Sequence, residues 1–196
     1  MRRREGNKEQ LILDAAVQVF ARHGFHRAKI SAIADLADVA TGSIYLYYKD
    51  KEAILLTIFD RLWAALTNEL HVIVQRSDID ATEKLDLVID ELFKIFIANP
   101  ALATVFVNEQ NQLITAKRGN VARHYNDFLD IAEEIIREGV RKGKFNPDIE
   151  IKLYRNFITG GLRSLLQLWA LQPQTISLGR ICQNVKYFSK YGLLTK

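Results

Sequence analysis

The amino-acid sequence predicts an all-α protein with about nine helices. Apolar residues recur at the helical spacing of 3.6 residues along most of the 196-residue chain. Only 3 prolines and 10 glycines interrupt it, which leaves room for long helices and little for hairpin turns. No segment alternates apolar and polar residues as a half-buried strand does. An apolar fraction of 48% is typical of a globular protein and excludes a disordered or fibrous chain.

Three short helices are expected at the N-terminal end. Residues 7–23 carry an apolar stripe at helical spacing, and Gly24 stands where a helix ends in the left-handed conformation. Two further helical segments, near residues 31–38 and 42–48, are too short to be stable alone. We therefore expect both segments to pack on the first helix.

Helix-start signals divide the rest of the chain into about six longer helices. Asp50 has the character of an N-cap and opens a long helix. Asp80 and Glu83 have the spacing of a capping box, and Pro100 suits the first turn of the helix after it. These signals predict two domains without a flexible linker, one over residues 1–50 and the other over residues 51–196.

Basic charge is concentrated in the first of these domains. Residues 1–51 hold nine Lys and Arg against six Asp and Glu, whereas the remainder holds eighteen against seventeen. An excess of this kind indicates an anionic partner at the N-terminal end, although basic surface charge often serves only solvation. Arg2–Arg4 could form an arm that enters a DNA minor groove.

Residues 33–55 have the pattern of a helix-turn-helix, whose second helix enters the DNA major groove. Short residues at 41–43 stand at the start of that helix, where they let the backbone approach base edges. Hydroxyl and ammonium groups that can donate to phosphates follow them, on Tyr45, Tyr47, Lys49 and Lys51.

At this point residues 10–56 resemble the TetR-type transcriptional regulators. The resemblance rests on elements in a set order and spacing: Gly24-Phe25, Ile33-Ala34, Gly42-Ser43-Ile44-Tyr45, Tyr47-Tyr48 and Lys51-Glu52. It implies a helix-turn-helix domain joined by a long helix to a C-terminal domain for ligand binding and dimerisation. It implies a homodimer on a double-stranded DNA operator, released by a small-molecule effector.

The resemblance also implies roles for single residues. Base edges would be faced by Thr41, Gly42, Ser43 and Leu46. Phosphates would be faced by Tyr45, Tyr47 and Lys51, while Tyr48 would be a packing residue. Two positions depart from the family pattern. Asp38 stands where glycine is usual in the turn, and Ala28-Lys29 stand where Ser or Thr is usual, so we expect Ser31 to cap the helix and Lys29 to contact phosphate.

The C-terminal part is rich in large apolar residues, and helical bundles hold ligands between facing helices. Residues 108–112 form a polar run that cannot all be exposed, so one or two of these groups could turn inward toward a ligand. Ordinary core packing also explains each candidate lining residue, and the candidates are Leu66, Phe93, Phe96, Phe106, Tyr125, Leu129, Phe157 and Trp169.

The effector class is left open between two kinds of molecule. Within the family, the layout is similar to regulators of fatty-acid degradation that answer to long-chain acyl-CoA. The cues are residues 44–47, Leu102-Ala103 and Gly160-Gly161. An apolar or aromatic inducer of the multidrug type explains the same composition.

Two C-terminal helices are expected to form the dimer interface. Asn146-Pro147 should open a helix over residues 148–171 that is apolar on more than one face, and a last helix should follow over residues 175–191. Gly160-Gly161 would allow two helices to approach closely, although a kink beside the ligand pocket would also explain them. The expected interface residues are Gly161, Leu165, Ile181 and Val185.

Other chemistries find little support in the sequence. No G-x-S-x-G, Walker or G-x-G-x-x-G pattern occurs, so we expect no enzyme, catalytic residue or cofactor. His23 and His26 have no companions at metal-ligand spacing, so no metal site is expected. Cys182 reads as a small buried apolar residue. Acidic and basic residues at helical spacing over 133–142 indicate a solvent-exposed helix face.

The expected location is the cytoplasm. The longest apolar stretches, such as Ile54–Phe59, are too short to span a membrane, and the N-terminus lacks the apolar run of a secretory signal. The best prediction is thus a DNA-binding repressor responsive to a small molecule. An activator of the same build, or a helical carrier or adaptor without DNA function, remains as the alternative.

Overall fold

The computed structural model describes residues 5–115 and 120–193. This part of the chain contains nine α-helices and no strand, which confirms the predicted fold class. In chain order the helices are α1 Glu5–His23, α2 Ile30–Leu36, α3 Thr41–Tyr45, α4 Lys51–Gln75, α5 Ala81–Ala98, α6 Pro100–Thr115, α7 Val121–Arg141, α8 Ile151–Leu171 and α9 Leu178–Tyr191.

The contacts divide the chain into two compact units. The N-terminal unit comprises Met1–Leu62 and Ala101–Ala122, and the C-terminal unit comprises Trp63–Pro100 and Arg123–Lys196. The sequence places the division at residue 50, whereas the N-terminal unit also takes in the first half of α4 and most of α6. The rings of Phe59 on α4 and Phe106 on α6 stack within this unit, with centroids 6.2 Å apart.

Helices α1, α2 and α3 form the predicted helix-turn-helix arrangement. Helix α2 packs on α1 and α3 packs on α2, around fully buried apolar side chains that include Ile12, Ile33 and Ile44. Gly24 ends α1 with a φ of +72°, as expected. Asp38 takes the left-handed conformation, with a φ of +53°, in the place where glycine is usual.

Both short helices are shorter than the sequence suggests. Helix α3 ends at Tyr45, and the two residues that follow form a turn. Lys29 stands at the N-cap of α2 without a side-chain hydrogen bond, and Ser31 lies within the helix. The expectation that Ser31 caps α2 is therefore wrong, because Ser31 lies two residues after the N-cap position, inside the first turn.

In the C-terminal unit, α9 packs against both α5 and α8. The capping box at the start of α5 is confirmed. Asp80 Oδ1 accepts from the backbone N–H groups of Thr82 and Glu83 at 2.9 and 3.0 Å, and Glu83 Oε2 accepts from the Asp80 N–H at 3.0 Å. Pro100 is the first residue of α6, as predicted.

The predicted start of α8 is wrong. Asn146 Oδ1 accepts from the N–H of Asp148 at 2.9 Å, which holds the chain in a turn, and the helix begins only at Ile151. Asn side chains stabilise such turns as readily as helix starts, so the sequence pattern alone does not separate the two. Helix α9 also begins later than predicted, because Ser177 Oγ accepts from the N–H of Arg180 at 3.2 Å.

Candidate DNA-binding surface and ligand cavity

The end of the helix-turn-helix carries apolar and aromatic side chains that the protein leaves uncovered. Leu46 is 84% exposed, and Tyr45 and Tyr47 are also exposed. Thr41 and Gly42 are exposed at the start of α3, while Ser43 is half-buried. Lys29, at the N-cap of α2, is exposed as well. Six of the eight predicted DNA contacts are therefore exposed, and Ser43 and the eighth residue, Lys51, are half-buried.

Gly42 has no structural reason to be glycine. A Cβ atom built there would meet nothing within 4 Å, and its φ lies outside the left-handed region. Glycine inside a helix costs roughly 1 kcal/mol relative to alanine. The missing side chain therefore fits the expected role, in which the backbone of α3 lies against a partner outside the protein.

The eighth residue, Lys51, makes its contacts within the protein. Its ammonium group donates to the backbone oxygens of Phe25, His26 and Ala28, at 2.8, 2.7 and 3.2 Å. An ammonium group has three donors, so all of them are used. Lys51 thereby joins the start of α4 to the turn after α1. A phosphate contact by Lys51 requires at least one of these bonds to be exchanged.

Tyr48 lies in the core, as the resemblance implies. Its side chain is buried, and its hydroxyl donates to Glu9 Oε1 at 3.1 Å. Burial, and then the negative charge of Glu9, raise the pKa of Tyr48 well above its ordinary value. The Arg61 guanidinium also bonds Glu9, at 2.5 Å, so these contacts connect α4 to α1.

The C-terminal unit contains an apolar cavity of about 90 Å³. Its walls come from α5, α7, α8 and α9. Two of the predicted ligand residues, Phe93 and Leu129, line it. The other lining residues are Leu85, Val88, Ile89, Leu92, Phe128, Ala132, Glu133, Ile136, Tyr154, Arg155, Ile158, Thr159, Leu162, Val185 and Ser189.

The remaining six ligand candidates lie outside this cavity. Leu66 and Phe96 are fully buried core residues, and Trp169 is buried as well. Tyr125 packs against Trp63 with ring centroids 4.8 Å apart, and Phe106 belongs to the N-terminal unit. Ordinary packing accounts for these five. Phe157 is instead 73% exposed, because it stands on the outward face of α8.

Of the polar run at 108–112, Glu109 and Gln110 are buried and Asn108 is exposed. Gln110 Oε1 has no hydrogen-bond partner in the described part of the chain. An inward-facing group was therefore expected correctly here, but this position belongs to the N-terminal unit and not to the cavity. The side chains of Asn111 and Gln112 lie outside the described residues, as does the Arg2–Arg4 arm.

Sequence reasoning missed the polar groups of the cavity. Glu133 is only 3% exposed, although its surroundings in the sequence suggested a solvent-exposed face. Its carboxylate accepts from Arg137 Nη2 at 2.7 Å and from Arg155 Nη1 at 2.8 Å. The first pair has the predicted spacing along α7. The sequence carries no distinct signal for the second, because Arg155 is one of three basic residues of α8, with Lys152 and Arg163.

Two further polar residues stand beside Arg155. The Tyr154 hydroxyl donates to the backbone oxygen of Ser189 at 2.9 Å, and burial raises the pKa of that hydroxyl to about 12. Ser189 is 0% exposed. Its hydroxyl oxygen, and Nε of Arg155, are buried without a hydrogen-bond partner in the part of the chain that the structure describes.

An apolar groove of about 430 Å³ runs along α8 and α9. Two predicted interface residues, Gly161 and Leu165, line it, and Val185 contributes to it although the side chain is buried. Ile181 is buried within the protomer and does not line the groove. Helix α9 directs Ile181 and Val185 toward the core of its own unit, whereas Phe157, Phe188 and Tyr191 line the groove with exposed side chains.

The other sequence expectations concern chemistry. No group of three His, Cys, Asp or Glu side chains within residues 5–115 and 120–193 could hold a metal ion. Cys182 is buried, as predicted, and burial, together with the charge of Asp90, raises its pKa to about 11. Among the helices that the structure describes, none has the length and apolar character needed to cross a membrane.

Known proteins match both parts of the chain. The N-terminal pattern of the bacterial regulatory proteins of the tetR family matches residues 12–58. The C-terminal region of YsiA-like proteins matches residues 60–190. The fatty acid metabolism regulator protein of Bacillus subtilis (strain 168) is 31% identical over 189 residues, which is 96% of this chain and 97% of that protein.

Two solved structures have the same fold over nearly the whole chain. The fatty acid degradation regulator FadR from Bacillus halodurans matches with a TM-score of 0.84 and 31% identity, over 97% of this chain and 98% of its own. FadR from Bacillus subtilis in complex with stearoyl-CoA matches with a TM-score of 0.81 and 30% identity, over 93% and 98%. The chain therefore belongs to the tetR family of bacterial regulatory proteins, and it is a DNA-binding regulator of transcription.

Proposed function

We propose that this protein is a homodimeric repressor that leaves its operator when a long-chain fatty acyl-CoA binds to the C-terminal unit. The cavity between α5, α7, α8 and α9 carries this proposal, because its lining is apolar apart from Glu133, Tyr154, Arg155, Thr159 and Ser189. Its relatives include regulators of fatty acid metabolism, and one of them was solved with stearoyl-CoA. We also propose that this regulator of transcription catalyses no reaction and works in the cytoplasm.

The DNA-contacting surface is proposed to be the exposed start of α3 with the residues after it. Thr41, Gly42, Ser43 and Leu46 would face base edges in the major groove. Tyr45, Tyr47 and Lys29 would face phosphates. The exposure of these residues, and the open space beside Gly42, support this assignment.

The dimer interface is proposed to be the face of α8 and α9 that carries the groove. Large apolar side chains are exposed along both helices, and they are Leu153, Phe157, Leu168, Leu171, Tyr187, Phe188 and Tyr191. A Cβ at Gly160 or Gly161 would meet nothing within 4 Å in the protomer. Close approach of a partner helix would offset the cost of both glycines. A two-fold dimer would carry two recognition helices about 34–36 Å apart, to match successive major grooves.

Effector binding would act by separating helices. A volume of about 90 Å³ is below the roughly 300–1,000 Å³ of ligand pockets, so a long acyl chain requires the walls to move. Phe128, in the cavity wall, packs against Trp63 of α4 with ring centroids 5.2 Å apart. Because α4 runs into the N-terminal unit, a displacement of Trp63 would tilt the recognition helix and weaken DNA binding.

A DNA-binding measurement tests this function. Fluorescence anisotropy would follow the apo protein on DNA from the flank of its own gene, with stearoyl-CoA, CoA alone, stearate and an aromatic cation as separate additions. We expect specific binding at moderate salt and release by stearoyl-CoA only. Release by the aromatic cation would favour a multidrug-type inducer instead, and absence of any specific complex would favour a carrier or adaptor. Reporter transcription in cells would separate a repressor from an activator.

A further inference from the structure

The turn between α1 and α2 carries basic side chains without an acidic neighbour along the chain. Sequence positions 15–34 contain neither Asp nor Glu. Within them, residues 22–29 form the basic turn, which comprises the last two residues of α1 and the segment that leads into α2. Five of its side chains are basic and exposed, and they are Arg22, His23, His26, Arg27 and Lys29. A local excess of this kind indicates an anionic partner.

The two histidine rings of the basic turn are exposed. The hydrogen bonds at these residues use their backbone oxygens. The oxygen of His23 accepts from Arg27 Nε at 3.1 Å, and the oxygen of His26 accepts from Lys51 Nζ at 2.7 Å. The His26 ring meets the Phe25 ring edge-on, with centroids 5.5 Å apart. Both imidazoles are therefore available to a partner outside the protein.

Contacts within the N-terminal unit fix the place of the basic turn. Lys51 Nζ donates to three backbone oxygens of this turn, so the turn is attached to the first residue of α4. The chain then enters α2, which packs on α3. In a helix-turn-helix the second helix lies in the DNA major groove, while the first helix crosses the DNA backbone. Because the basic turn leads into the first of these helices, it should lie beside the phosphates of that backbone.

From these observations we infer that the basic turn binds phosphates of double-stranded DNA, and that His23 and His26 strengthen this contact at low pH. The inference rests on the proposed function, in which α3 enters the major groove, and adds to it a second contact surface and a dependence on pH. A neutral imidazole donates one hydrogen bond, whereas a protonated imidazole donates two and carries a positive charge. Histidine is the side chain whose charge ordinarily changes between about pH 5 and pH 8.

Phosphates would favour the protonated form of both rings. An anion close to a histidine stabilises its charged form, so DNA binding should take up protons and the affinity should increase as the pH falls. The groups of the turn and of the elements beside it carry both signs, so the change of charge on binding comes from the phosphates. These groups are Arg22, Arg27 and Lys29 in the turn, Asp50, Lys51 and Glu52 at the start of α4, and Asp35 in the last turn of α2.

A DNA-binding measurement at two pH values tests this contact. Fluorescence anisotropy would follow the full-length protein on a duplex from the flank of its own gene and on a duplex of unrelated sequence, with a salt titration at pH 6 and at pH 8. We expect the affinity for both duplexes to be at least about threefold higher at pH 6, because phosphate contacts do not depend on sequence. The slope of log affinity against log salt concentration should steepen at pH 6 by about one unit for each histidine that gains a phosphate.

Variants assign the effect to the two histidines. His23→Gln/His26→Gln should bind equally at both pH values, at the level of the wild type at pH 8. His23→Arg/His26→Arg carries permanent charges, so its affinity should also be independent of pH, at the level of the wild type at pH 6. The matched control is His71→Gln, because His71 is an exposed histidine on α4 in the C-terminal unit, and this variant should keep the pH dependence. Thermal unfolding at each pH would verify that the variants are folded.

The outcomes separate this inference from the proposed function. Equal affinity of the wild type at pH 6 and pH 8 would overturn the histidine contact, whether or not stearoyl-CoA releases the DNA. A pH dependence that persists in the double Gln variant, or that disappears in His71→Gln, would overturn the residue assignment. A pH dependence that only the variants at 23 and 26 remove, without release of DNA by stearoyl-CoA, would support the basic turn and overturn the proposed effector. Absence of DNA binding by the wild type at both pH values would overturn both proposals.

Discussion

The ammonium group of Lys51 lies over the ring of Phe25, 4.9 Å from the ring centroid. Its three donors bond the backbone oxygens of the turn that contains Phe25, so a cation–π contact adds to a complete set of hydrogen bonds. Phe25 packs edge-on against Phe20 of α1, with centroids 5.4 Å apart. Lys51 thereby fixes the first residue of α4 to the end of α1.

This arrangement predicts that Lys51→Ala acts mainly on stability. We expect the free energy of unfolding to fall by about 1–3 kcal/mol, because three backbone carbonyl groups lose a charged donor and two of these bonds are part-buried. DNA affinity should fall only to the extent that the substitution disorders the turn after α1. The slope of DNA affinity against salt concentration should stay unchanged. Denaturant unfolding and a salt titration of DNA binding measure the two quantities.

Lys29→Ala is the matched comparison. Lys29 is exposed and has no side-chain bond in its capping position, so stability should change by less than about 0.5 kcal/mol. If Lys29 contacts a phosphate, the salt slope should decrease by about one unit. A slope that decreases in Lys51→Ala and not in Lys29→Ala would reverse the two roles.

Gly42→Ala should separate folding from DNA binding. The added methyl group meets open space in the protomer and improves helix propensity, so Tm should stay the same or rise by a few degrees. Specific DNA affinity should decrease about tenfold or more, because the methyl group would stand between α3 and the DNA. Gly24→Ala provides the contrast, since a φ of +72° strains alanine and lowers Tm while α3 stays unchanged. An unaltered DNA affinity in Gly42→Ala would remove this residue from the interface.

The sequence predicted those features whose causes are local. Gly24, the Asp80 capping box and the first position of Pro100 follow from backbone conformation and hydrogen bonding within one turn. The predicted start of α8 was wrong because an Asn side chain can cap a helix or stabilise a turn. The sequence does not show which of the two Asn146 does.

The cavity could not be predicted, because it depends on which helices pack together. The partner that buries Glu133 is Arg155, which lies twenty-two residues away along the chain. The spacing of residues along α7 predicts the pair of Glu133 with Arg137, but it does not predict a contact between Glu133 and a residue of α8. In the same way, Phe157 and Phe93 both lie on apolar stripes in the sequence. Only the packing of the helices shows that Phe157 is exposed and that Phe93 lines the cavity.

A buried ion pair in the C-terminal unit gives a prediction on stability. Lys84 is buried, and its ammonium group bonds Glu138 Oε2 at 2.7 Å and the Val74 backbone oxygen at 2.9 Å. Lys84→Met should lower the free energy of unfolding by about 3 kcal/mol, because removal of one partner leaves the other poorly paired. Lys142→Met, which removes an exposed partner of the same glutamate, should cost less than about 1 kcal/mol. Urea unfolding measures both, and equal losses would contradict the assignment.

The same pair predicts a dependence on pH. Burial alone would raise the pKa of Glu138, but hydrogen bonds from Lys142 and Lys84 outweigh it and hold the pKa below its ordinary value of 4.5. A folded pKa below the unfolded one means that ionised Glu138 stabilises the fold above pH 4.5, and that this contribution disappears as the pH falls through the folded pKa. The stability difference between wild type and Glu138→Gln should therefore shrink below pH 4.5. A difference that stays constant from pH 7 to pH 3 would exclude this ionisation.

Phe157 and Tyr191 provide the test of the dimer. Both are exposed in the protomer and line the groove on α8 and α9, so charges placed there should spare the fold of the protomer. The double variant Phe157→Glu/Tyr191→Glu should sediment as a monomer at micromolar concentration, while the wild type sediments as a dimer. The matched control is Val72→Glu on α4, where an exposed apolar residue outside the groove becomes charged and the dimer should persist. Ile181 and Val185 are unsuitable for this test because charges there would enter the protomer's own core.

Circular dichroism would verify that the double variant is folded. A folded double variant that remains dimeric would place the interface on another face, and specific DNA affinity should fall together with the dimer if two recognition helices must bind at once.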